Sequence, residues 1–404
     1  MGVFAQHGFR CGDKIRNAFS CGCLDGVVFS PKDVKLTSLK EKINDIKNVT
    51  DTENILFDPQ FYAAILANEP NAKLGSLPID YADIFSVKNL VNLSRDRYVE
   101  DEINKSGLFQ KNELGLSKYI LPNVCIQEDF NSLSAVIARN FIEIGDEIAR
   151  SKNVSSSVYH SLVIEGNCFR KTDNLLKFIN GLTQNELMAK GFYILVESSK
   201  TDGRCPWCDK DVLANQLYLA YVLSQNGYET IFGYSFLSSP YLWAVGANSC
   251  AFGWFDTLRF LSLRDKFIDS GKKGGRNASR KYFAGKIWRP VEISVLETGK
   301  DFILNGLSID NLFLDRKNPP SESDEILQYW ETLRLEEAAI KKYEYTEDRL
   351  EYIKERLREM ESFVNDKTNV LHSLPIGGKL KSEINQCKQA LKTFTDLSEI
   401  PFSF

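Results

Sequence analysis

The chain has 404 residues, of which 43% are apolar and 26% are charged, and its formal net charge is −4 at neutral pH. This length fits one large α/β domain with an appendage, or two medium domains, and the apolar fraction suffices for a full core. So small a net charge gives no overall attraction to nucleic acid or membrane, so any such contact must come from a local patch. No run approaches the roughly 20 apolar residues of a membrane span. Nine scattered cysteines and no secretory leader predict a reducing, cytoplasmic location.

Short apolar runs alternate with helical patterns through most of the chain. Strands are predicted at residues 27–30, 55–58, 119–127, 158–166, 191–199, 230–235 and 250–255, with an eighth at 286–294. Helical periodicity is clearest over 133–148, 175–187 and 212–223, while 61–118 is less regular and predicts a helical insertion. This alternation matches an α/β fold of the (β/α)8 TIM-like barrel type in size, and a doubly wound open sheet is the alternative.

The composition changes after Pro319-Pro320. From Glu322 to Phe363 the pattern is helical and rich in glutamate, a break follows near 373–378, and 379–397 makes a second helix. We therefore predict a barrel over residues 1–318 and a C-terminal α-helical hairpin over 319–404. The apolar seam of this hairpin could close on itself, dock on the barrel, or bind a partner or a second copy through residues 322–397.

Two apolar runs, Val158–Gly166 and Gly191–Ser199, carry Glu165 and Glu197 near their ends, and Asp58 follows an earlier run. Nearly continuous apolar runs suit parallel strands buried on both faces, and barrel enzymes bind ligands at the carboxyl ends of such strands. A carboxyl group partly buried there should have a raised pKa and can act as a general acid or base. We predict these three carboxylates as catalytic. Other polar residues at strand ends are predicted to bind substrate: Gln60, Gln127, Asn167, Tyr234 and Arg259.

The sharpest local motif is Cys205-Pro-Trp-Cys208. A CxxC pair can be half of a zinc site, a redox pair, or a turn with no special role. A closed zinc site needs two more ligands, and Cys168 and Cys250 are the nearest candidates by topology. Zinc held by Cys205 and Cys208 is therefore one expectation among these three.

The segment 264–289 is locally basic, contains glycines and includes the aromatic residues Tyr282, Phe283 and Trp288. Cations interleaved with aromatic rings suit phosphates and stacked bases. This segment predicts a nucleic-acid contact, and its phosphate-binding residues would be Lys272, Lys273, Arg276 and Arg280. The alternative is a solvated basic loop that faces an acidic surface, such as the predicted helix 322–363.

The motifs LVIEGN (162–167), GFYILVESS (191–199) and TIFGYS…AVGANSCAFGW (230–254) resemble the barrel of tRNA-guanine transglycosylases in their order. The resemblance covers residues 158–260 and implies a barrel that acts on a glycosidic bond of a nucleotide or nucleic acid. Glu165 stands where that family has the glutamine that reads guanine. No aspartate stands near Asn248–Ala251, where the nucleophile would be, and the family's zinc knuckle is absent. The resemblance therefore implies an altered or lost base-exchange reaction.

Three functions are consistent with these patterns. The first is a barrel that binds a nucleotide or nucleic acid at its carboxyl-end face and transfers or hydrolyses a glycosidic bond. The second is a non-catalytic barrel subunit of a multiprotein assembly that docks through its C-terminal helices, and the third is a barrel enzyme for a small metabolite. The absence of GxGxxG, Walker, HExxH and GxSxG motifs argues against nucleotide-fuelled chemistry and common serine hydrolysis.

Overall fold

A parallel sheet that curls into a nearly closed barrel is the centre of the computed structural model, which describes residues 1–67, 69–198, 208–269, 280–293, 296, 304–315, 320–366 and 375–402. The barrel strands are β1 (Gly2–Gln6), β2 (Gly26–Phe29), β3 (Ile55–Phe57), β4 (Tyr119–Leu121), β5 (Cys125–Ile126), β6 (Val158–Ile164), β7 (Gly191–Val196), β8 (Glu229–Gly233) and β9 (Ser249–Phe252). Almost every residue of these strands is buried, as expected for strands covered on both faces.

The strands follow chain order around the barrel. Their hydrogen-bonded order is β3-β2-β1-β9-β8-β7-β6-β4, β5 also pairs with β6, and all pairs are parallel. The pairing of β1 with β9 joins the first barrel strand to the last. This arrangement confirms the (β/α)8 barrel, since a doubly wound sheet reverses its strand order at a switch point.

The junction between β3 and β4 is the one place among these strands where no ladder forms. There the side-chain amide of Gln110, on a helix of the 61–118 segment, takes the role of a neighbouring strand. Its Nε2 donates to the carbonyl of Ile120 in β4 at 2.8 Å, and its Oε1 accepts from the amide of Ile120 at 3.1 Å. One side chain therefore satisfies both backbone groups that an absent strand would have paired.

Helices surround the barrel and follow its strands. They are α1 (Lys14–Ser20), α2 (Leu36–Lys47), α3 (Ala63–Leu66), α4 (Leu77–Asp80), α5 (Asp96–Asn112), α6 (Leu133–Ser151), α7 (Thr172–Thr183), α8 (Lys210–Gln225), α9 (Ser239–Ala244), α10 (Asp256–Arg259) and α11 (Leu263–Phe267). The hydroxyl of Ser132 caps α6 by accepting from the amide of Ala135 at 3.3 Å. Across the described part of the chain, no helix has the length and apolar content needed to cross a membrane.

Two predicted strands differ from the structure. Residues 286–294 do not form the eighth barrel strand: β10 (Lys281–Ala284) and β11 (Arg289–Glu292) make a separate antiparallel hairpin. Pro290 has no backbone N–H. A central strand needs that N–H for its hydrogen bonds, whereas a two-stranded hairpin tolerates its absence. The eighth strand is instead β1, at the start of the chain. The predicted strand 119–127 breaks at Pro122, and the side-chain amide of Asn123 donates to the carbonyl of Ser161 at 2.7 Å within the break.

The C-terminal helices pack on the outside of the barrel. They are α12 (Asp310–Leu314), α13 (Glu322–Lys341), α14 (Thr346–Asn365) and α15 (Pro375–Ser398), so the predicted helix 322–363 is two helices. The indole of Trp330 in α13 donates to the carbonyl of Phe252 in β9 at 3.2 Å, and α15 packs on α8 with Phe394 against Tyr221. The seam residues are almost fully buried: Leu350, Ile353, Leu357 and Met360. These apolar seam residues are therefore buried by contacts within the chain.

Candidate active site

A group of polar side chains lies buried at the carboxyl end of the barrel, and we call it the Asp58 cluster. None of its members is more than 9% exposed, although most of them are ionisable or amide side chains. Its members come from the ends of β1, β2, β3 and β8, from β7, and from α3 and α11: Gln6, His7, Ser30, Asp58, Gln60, Tyr62, Tyr193, Tyr234 and Lys266. So many buried polar groups at this face of a barrel indicate a functional site rather than packing.

Asp58 follows β3 directly and is held by two donors. Its Oδ1 accepts from the amide of Gln60 at 2.9 Å, and its Oδ2 accepts from the hydroxyl of Tyr62 at 2.9 Å. Burial raises the pKa of Asp58 to about 6, although both donors and the charge of Lys266 favour the ionised form. A carboxyl group with this pKa can give or take a proton near neutral pH.

Lys266 enters the same cluster from α11. Its Nζ donates to the hydroxyl of Tyr234, which follows β8, and lies 4.3 Å from the centre of the Tyr234 ring. Burial lowers the pKa of Lys266 to about 8, while the charges of Asp33 and Asp58 act in the opposite direction. The cluster therefore contains a carboxyl group and an amine whose pKa values both lie close to neutral pH.

A chain of hydrogen bonds crosses the barrel interior below these groups. The hydroxyl of Tyr193 donates to Oε1 of Gln6 at 3.1 Å, Nε2 of Gln6 donates to the hydroxyl of Ser30 at 3.2 Å, and that hydroxyl donates to the carbonyl of His7 at 3.3 Å. This chain links β7, β1 and β2 and fixes the floor of the site. Burial of Tyr193 and the nearby charge of Asp58 raise the pKa of its hydroxyl well above the ordinary range.

Several polar atoms of the Asp58 cluster are buried without a partner. Nε2 of Gln60 and both imidazole nitrogens of His7 have no hydrogen bond to any residue that the structure describes. Such atoms are rare in folded proteins and are natural contact points for a ligand. Burial lowers the pKa of His7 to about 4, so its imidazole is neutral at pH 7 and offers one donor and one acceptor.

The backbone is strained where these side chains leave the barrel. Gln60, Tyr234 and Glu128 have φ values of 53°, 56° and 66°, and each lies one to three residues beyond the end of a barrel strand. Residues other than glycine rarely adopt this left-handed region, and such outliers concentrate at functional sites. Here the strained turns place Gln60 and Tyr234 in the Asp58 cluster.

The short helix α11 lies across the mouth of the barrel and is tied to opposite sides of it. On one side, Glu197 accepts from the amide of Leu263 at 3.0 Å. On the other, the ring of Phe267 packs against Tyr62 at 5.6 Å, and its carbonyl accepts from Asn71 at 3.3 Å. Since Lys266 lies between these ties, α11 delivers the amine to the Asp58 cluster.

Glu165 and Glu197, which we call the glutamate pair, occupy the half of the mouth above β5, β6 and β7. They follow directly on Ile164 and Val196, which are register partners in adjacent parallel strands. Both are partly exposed. Burial and the charge of Glu165 raise the pKa of Glu197, while the amide of Leu263 opposes this shift. The predicted neighbourhood of the two carboxylates is therefore present.

Glu165 is held by the end of β5. Its Oε1 accepts from Nε2 of Gln127 at 3.0 Å, and its Oε2 accepts from the amide of Glu128 at 3.3 Å. The nearby Lys171 pairs with Asp129 rather than with either glutamate. The structure thus brings together two subsets of the predicted site residues: Asp58, Gln60 and Tyr234 in one, and Glu165, Glu197 and Gln127 in the other.

Two other predicted substrate ligands lie apart from both groups. Asn167 is exposed on the turn after β6. The guanidinium of Arg259 is buried over the ring of Tyr329 at 4.2 Å and pairs with Glu325 at 3.4 Å, so it joins the barrel to α13. Of the predicted phosphate-binding residues, Arg280 is exposed beside β10, while Lys272, Lys273 and Arg276 lie outside the described residues.

The predicted zinc ligands are only partly described. Cys208 is buried next to α8, and Cys205 lies outside the described residues. The thiol of Cys168 donates to the carbonyl of Ile126 at 3.6 Å, whereas Cys250 is buried within β9. Among the residues that the structure describes, no group of three or more His, Cys, Asp or Glu side chains is arranged to hold a metal ion. A zinc site at Cys205 and Cys208 therefore stays a prediction.

The fold and the Asp58 cluster define the class: a (β/α)8-barrel protein with a buried acid and amine at its carboxyl-end face. Comparison with models of known protein families gives no match for this chain, and comparison with curated protein sequences gives none either.

Proposed function

We propose that the protein is a barrel enzyme that hydrolyses or transfers a glycosidic bond of a nucleotide or nucleic acid bound at the carboxyl-end face. The observation that carries this proposal is the meeting of Asp58 with Lys266 and Tyr234 in one buried cluster. Breaking a glycosidic bond places positive charge on the sugar ring and negative charge on the leaving group. A carboxylate and an ammonium group in one low-dielectric site match both charges.

Asp58 is the residue that would face the sugar. Its carboxylate is oriented by Gln60 and Tyr62, so it is preorganised to stabilise the cationic carbon or to bond to it. Water or an incoming base then attacks that carbon. The raised pKa of Asp58 lets the same group accept the proton of the attacking molecule.

Lys266 and Tyr234 would act on the leaving group. The hydroxyl of Tyr234 can donate a proton to the departing atom and recover it from the ammonium group of Lys266, with which it is hydrogen-bonded. The lowered pKa of Lys266 favours this transfer, because the proton is held less tightly than on an exposed lysine. Lys266 is left as a neutral amine.

The substrate class is proposed from the chain that follows α11. The basic segment 264–289 starts within α11, so its first residues, including Arg264 and Lys266, belong to the helix at the mouth of the barrel. Phosphate groups next to a reacting sugar would meet that segment. Cys11, Cys23, Cys125 and Cys250 are buried free thiols, in keeping with the cytoplasmic location that we propose.

The reaction is tested with Asp58→Asn on a panel of nucleosides, nucleotides and single-stranded oligonucleotides. Release of free base is followed by chromatography. Because asparagine keeps the shape but loses the charge and the proton, kcat/KM should fall by roughly 100- to 10,000-fold. Asp129→Asn, on the same rim but paired with Lys171, is the matched control and should stay within a few-fold of the wild type.

Two outcomes would contradict the proposed reaction. One is a wild-type protein that releases no base from any member of the panel. The other is an Asp58→Asn variant that folds and retains activity close to that of the Asp129→Asn control.

The nucleic-acid contact is tested separately by binding. Replacing Lys272, Lys273 and Arg276 with alanine should weaken binding of a single-stranded oligonucleotide, and each lost phosphate contact should reduce the slope of log K against log salt by about 0.7. A control replaces three lysines at the N-cap of α2 and within it with alanine: Lys35, Lys40 and Lys47. Equal affinity and equal slope in the basic-segment variant and the wild type would mean that nucleic acid contacts another part of the protein.

A further inference from the structure

We propose that Lys266 forms a covalent imine with the carbonyl carbon of a sugar aldehyde in the Asp58 cluster. The choice of a sugar aldehyde rests on the glycosidic reaction proposed above. A sugar that is released from its base by hydrolysis opens to an aldehyde at the carbon that was attacked. The inference deepens that function by naming a covalent intermediate and the residue that holds it.

The structure contains three buried lysines within its described residues, and two of them have ordinary structural partners. Lys354 pairs with Glu351 at 2.7 Å, and Lys14 lies 3.9 Å from Glu322 and donates to the carbonyl of Arg10 at 2.9 Å. Lys266 has no carboxylate oxygen within 4.0 Å in the described part of the chain. A buried amine without an ion-pair partner is destabilising, which is tolerated at sites that use it.

The surroundings of Lys266 suit addition of an amine to a carbonyl. Its Nζ lies against the hydroxyl of Tyr234, which can give a proton to the carbonyl oxygen as that oxygen gains charge. Asp58 is close enough for its charge to act on Lys266, and it can take the proton that the amine releases. Nε2 of Gln60 is buried without a partner beside the same strand end and can bind a sugar hydroxyl.

The bonds and atoms balance without any co-reactant. The neutral amine adds to the aldehyde carbon and gives a carbinolamine, in which the former carbonyl oxygen is a hydroxyl. Loss of one water, made of that oxygen and the two amine hydrogens, leaves a C=N bond between the sugar and Nζ. Nothing is oxidised or reduced, and addition of water reverses the step.

The fraction of neutral amine decides the rate of the first step. Burial lowers the pKa of Lys266 to about 8, so its neutral fraction at pH 7 is roughly 200-fold that of an exposed lysine. The charged and titratable groups around it come from the ends of β1, β2, β3 and β8: His7, Lys32, Asp33, Asp58 and Tyr234. The selectivity for Lys266 should therefore decline as the pH rises above about 8.

The test traps the imine with a reductant in the full-length protein. Ribose 5-phosphate and sodium cyanoborohydride are added at pH 7, and adducts are located by mass spectrometry of peptides. Lys266 should be labelled on the order of 10- to 100-fold faster than Lys40, a partly exposed lysine of α2. Labelling at Lys266 that is no faster than at Lys40 would overturn the proposal.

Variants separate the imine from a merely electrostatic lysine. Lys266→Arg keeps the positive charge and Lys266→Met removes a buried charge, so at least one of them should fold, and neither should carry the fast adduct. Lys171→Met, on the other half of the rim and paired with Asp129, should be labelled at Lys266 as fast as the wild type. An equally fast adduct at another residue in the Lys266 variants would contradict the assignment.

The trapping test is independent of bond cleavage, because ribose 5-phosphate already provides the aldehyde. Formation of the adduct without release of base from nucleosides would support the imine and overturn the proposed glycosidic reaction. Release of base without formation of the adduct would support the glycosidic reaction and overturn the imine.

Discussion

Both halves of the barrel mouth contain carboxylates that follow strand ends, but in different surroundings. The Asp58 cluster is buried, and the pKa of Asp58 is raised to about 6 chiefly by that burial. The glutamate pair lies at the rim, where Glu165 and Glu197 are partly exposed and bound by backbone amides and Gln127. Both halves follow apolar strands, so the position of the carboxylate in the chain does not separate them.

The difference lies in what covers each carboxylate. Desolvation favours the neutral acid, whereas donors and water favour the carboxylate. Asp58 has two donors but is almost fully buried, and desolvation dominates. The comparison indicates that the degree of burial, more than the position at a strand end, makes a carboxylate in this mouth chemically unusual.

The largest effect that sharpens this comparison is the change of the unfolding free energy with pH. The native pKa of Asp58, about 6, exceeds its ordinary value of about 4, so the native state binds more protons than the unfolded state between these pH values. Its contribution to stability therefore falls by roughly 3 kcal/mol as the pH rises through this window. The pKa of His7 is about 4 against an ordinary 6.5, so its contribution rises by roughly 3 kcal/mol over nearly the same window.

The two contributions nearly cancel in the wild type, and single variants should reveal them. In Asp58→Asn only the His7 contribution remains, so the unfolding free energy should rise by roughly 3 kcal/mol more than in the wild type between pH 4 and 6.5. In His7→Phe it should instead fall relative to the wild type. Urea denaturation at several pH values measures both. Parallel curves for all three proteins would show that neither group is desolvated as described.

A smaller effect tests the rim half of the comparison. Glu197→Ala removes the acceptor of the Leu263 amide and should lower the unfolding free energy by roughly 1 kcal/mol. Glu197→Gln keeps a carbonyl oxygen at the same place and should cost less than half as much. Glu165→Gln should change stability least. Thermal denaturation measures the stability of all three variants. Equal losses of stability in the Ala and Gln variants of Glu197 would mean that the charge of Glu197, rather than its hydrogen bond to α11, matters.

Much of the barrel could be predicted from the length of the apolar runs and from the helical periodicity between them. The runs that form β6 and β7 are long, apolar and bounded by polar residues or glycine, and α6 to α8 lie where the sequence shows helical periodicity. β1 was missed because Gly2–Gln6 has no preceding turn to mark it, and without it the strand count was completed wrongly at 286–294. Local pattern shows that a segment is extended but not which sheet it joins.

The site was predictable only in part. Asp58, Gln60 and Tyr234 were found because they follow recognised strands. Gln6 and His7 were missed together with β1, although a Gln-His pair after an apolar run is the same signal. Lys266 was grouped with the basic segment, since nothing local distinguishes a lysine that a helix turns into a barrel from one that it turns to solvent. Burial is a property of the assembled fold, and pKa shifts follow from burial.

The bonding of Gln110 to β4 also bears on strand exchange between molecules. An open strand edge with free N–H and C=O groups can pair with a strand of another chain. Here the side-chain amide of Gln110 already occupies both backbone groups of Ile120, so this edge of β4 is blocked at that residue. The junction between β3 and β4, where Asp58 follows β3, therefore does not offer Ile120 to a strand from a second copy.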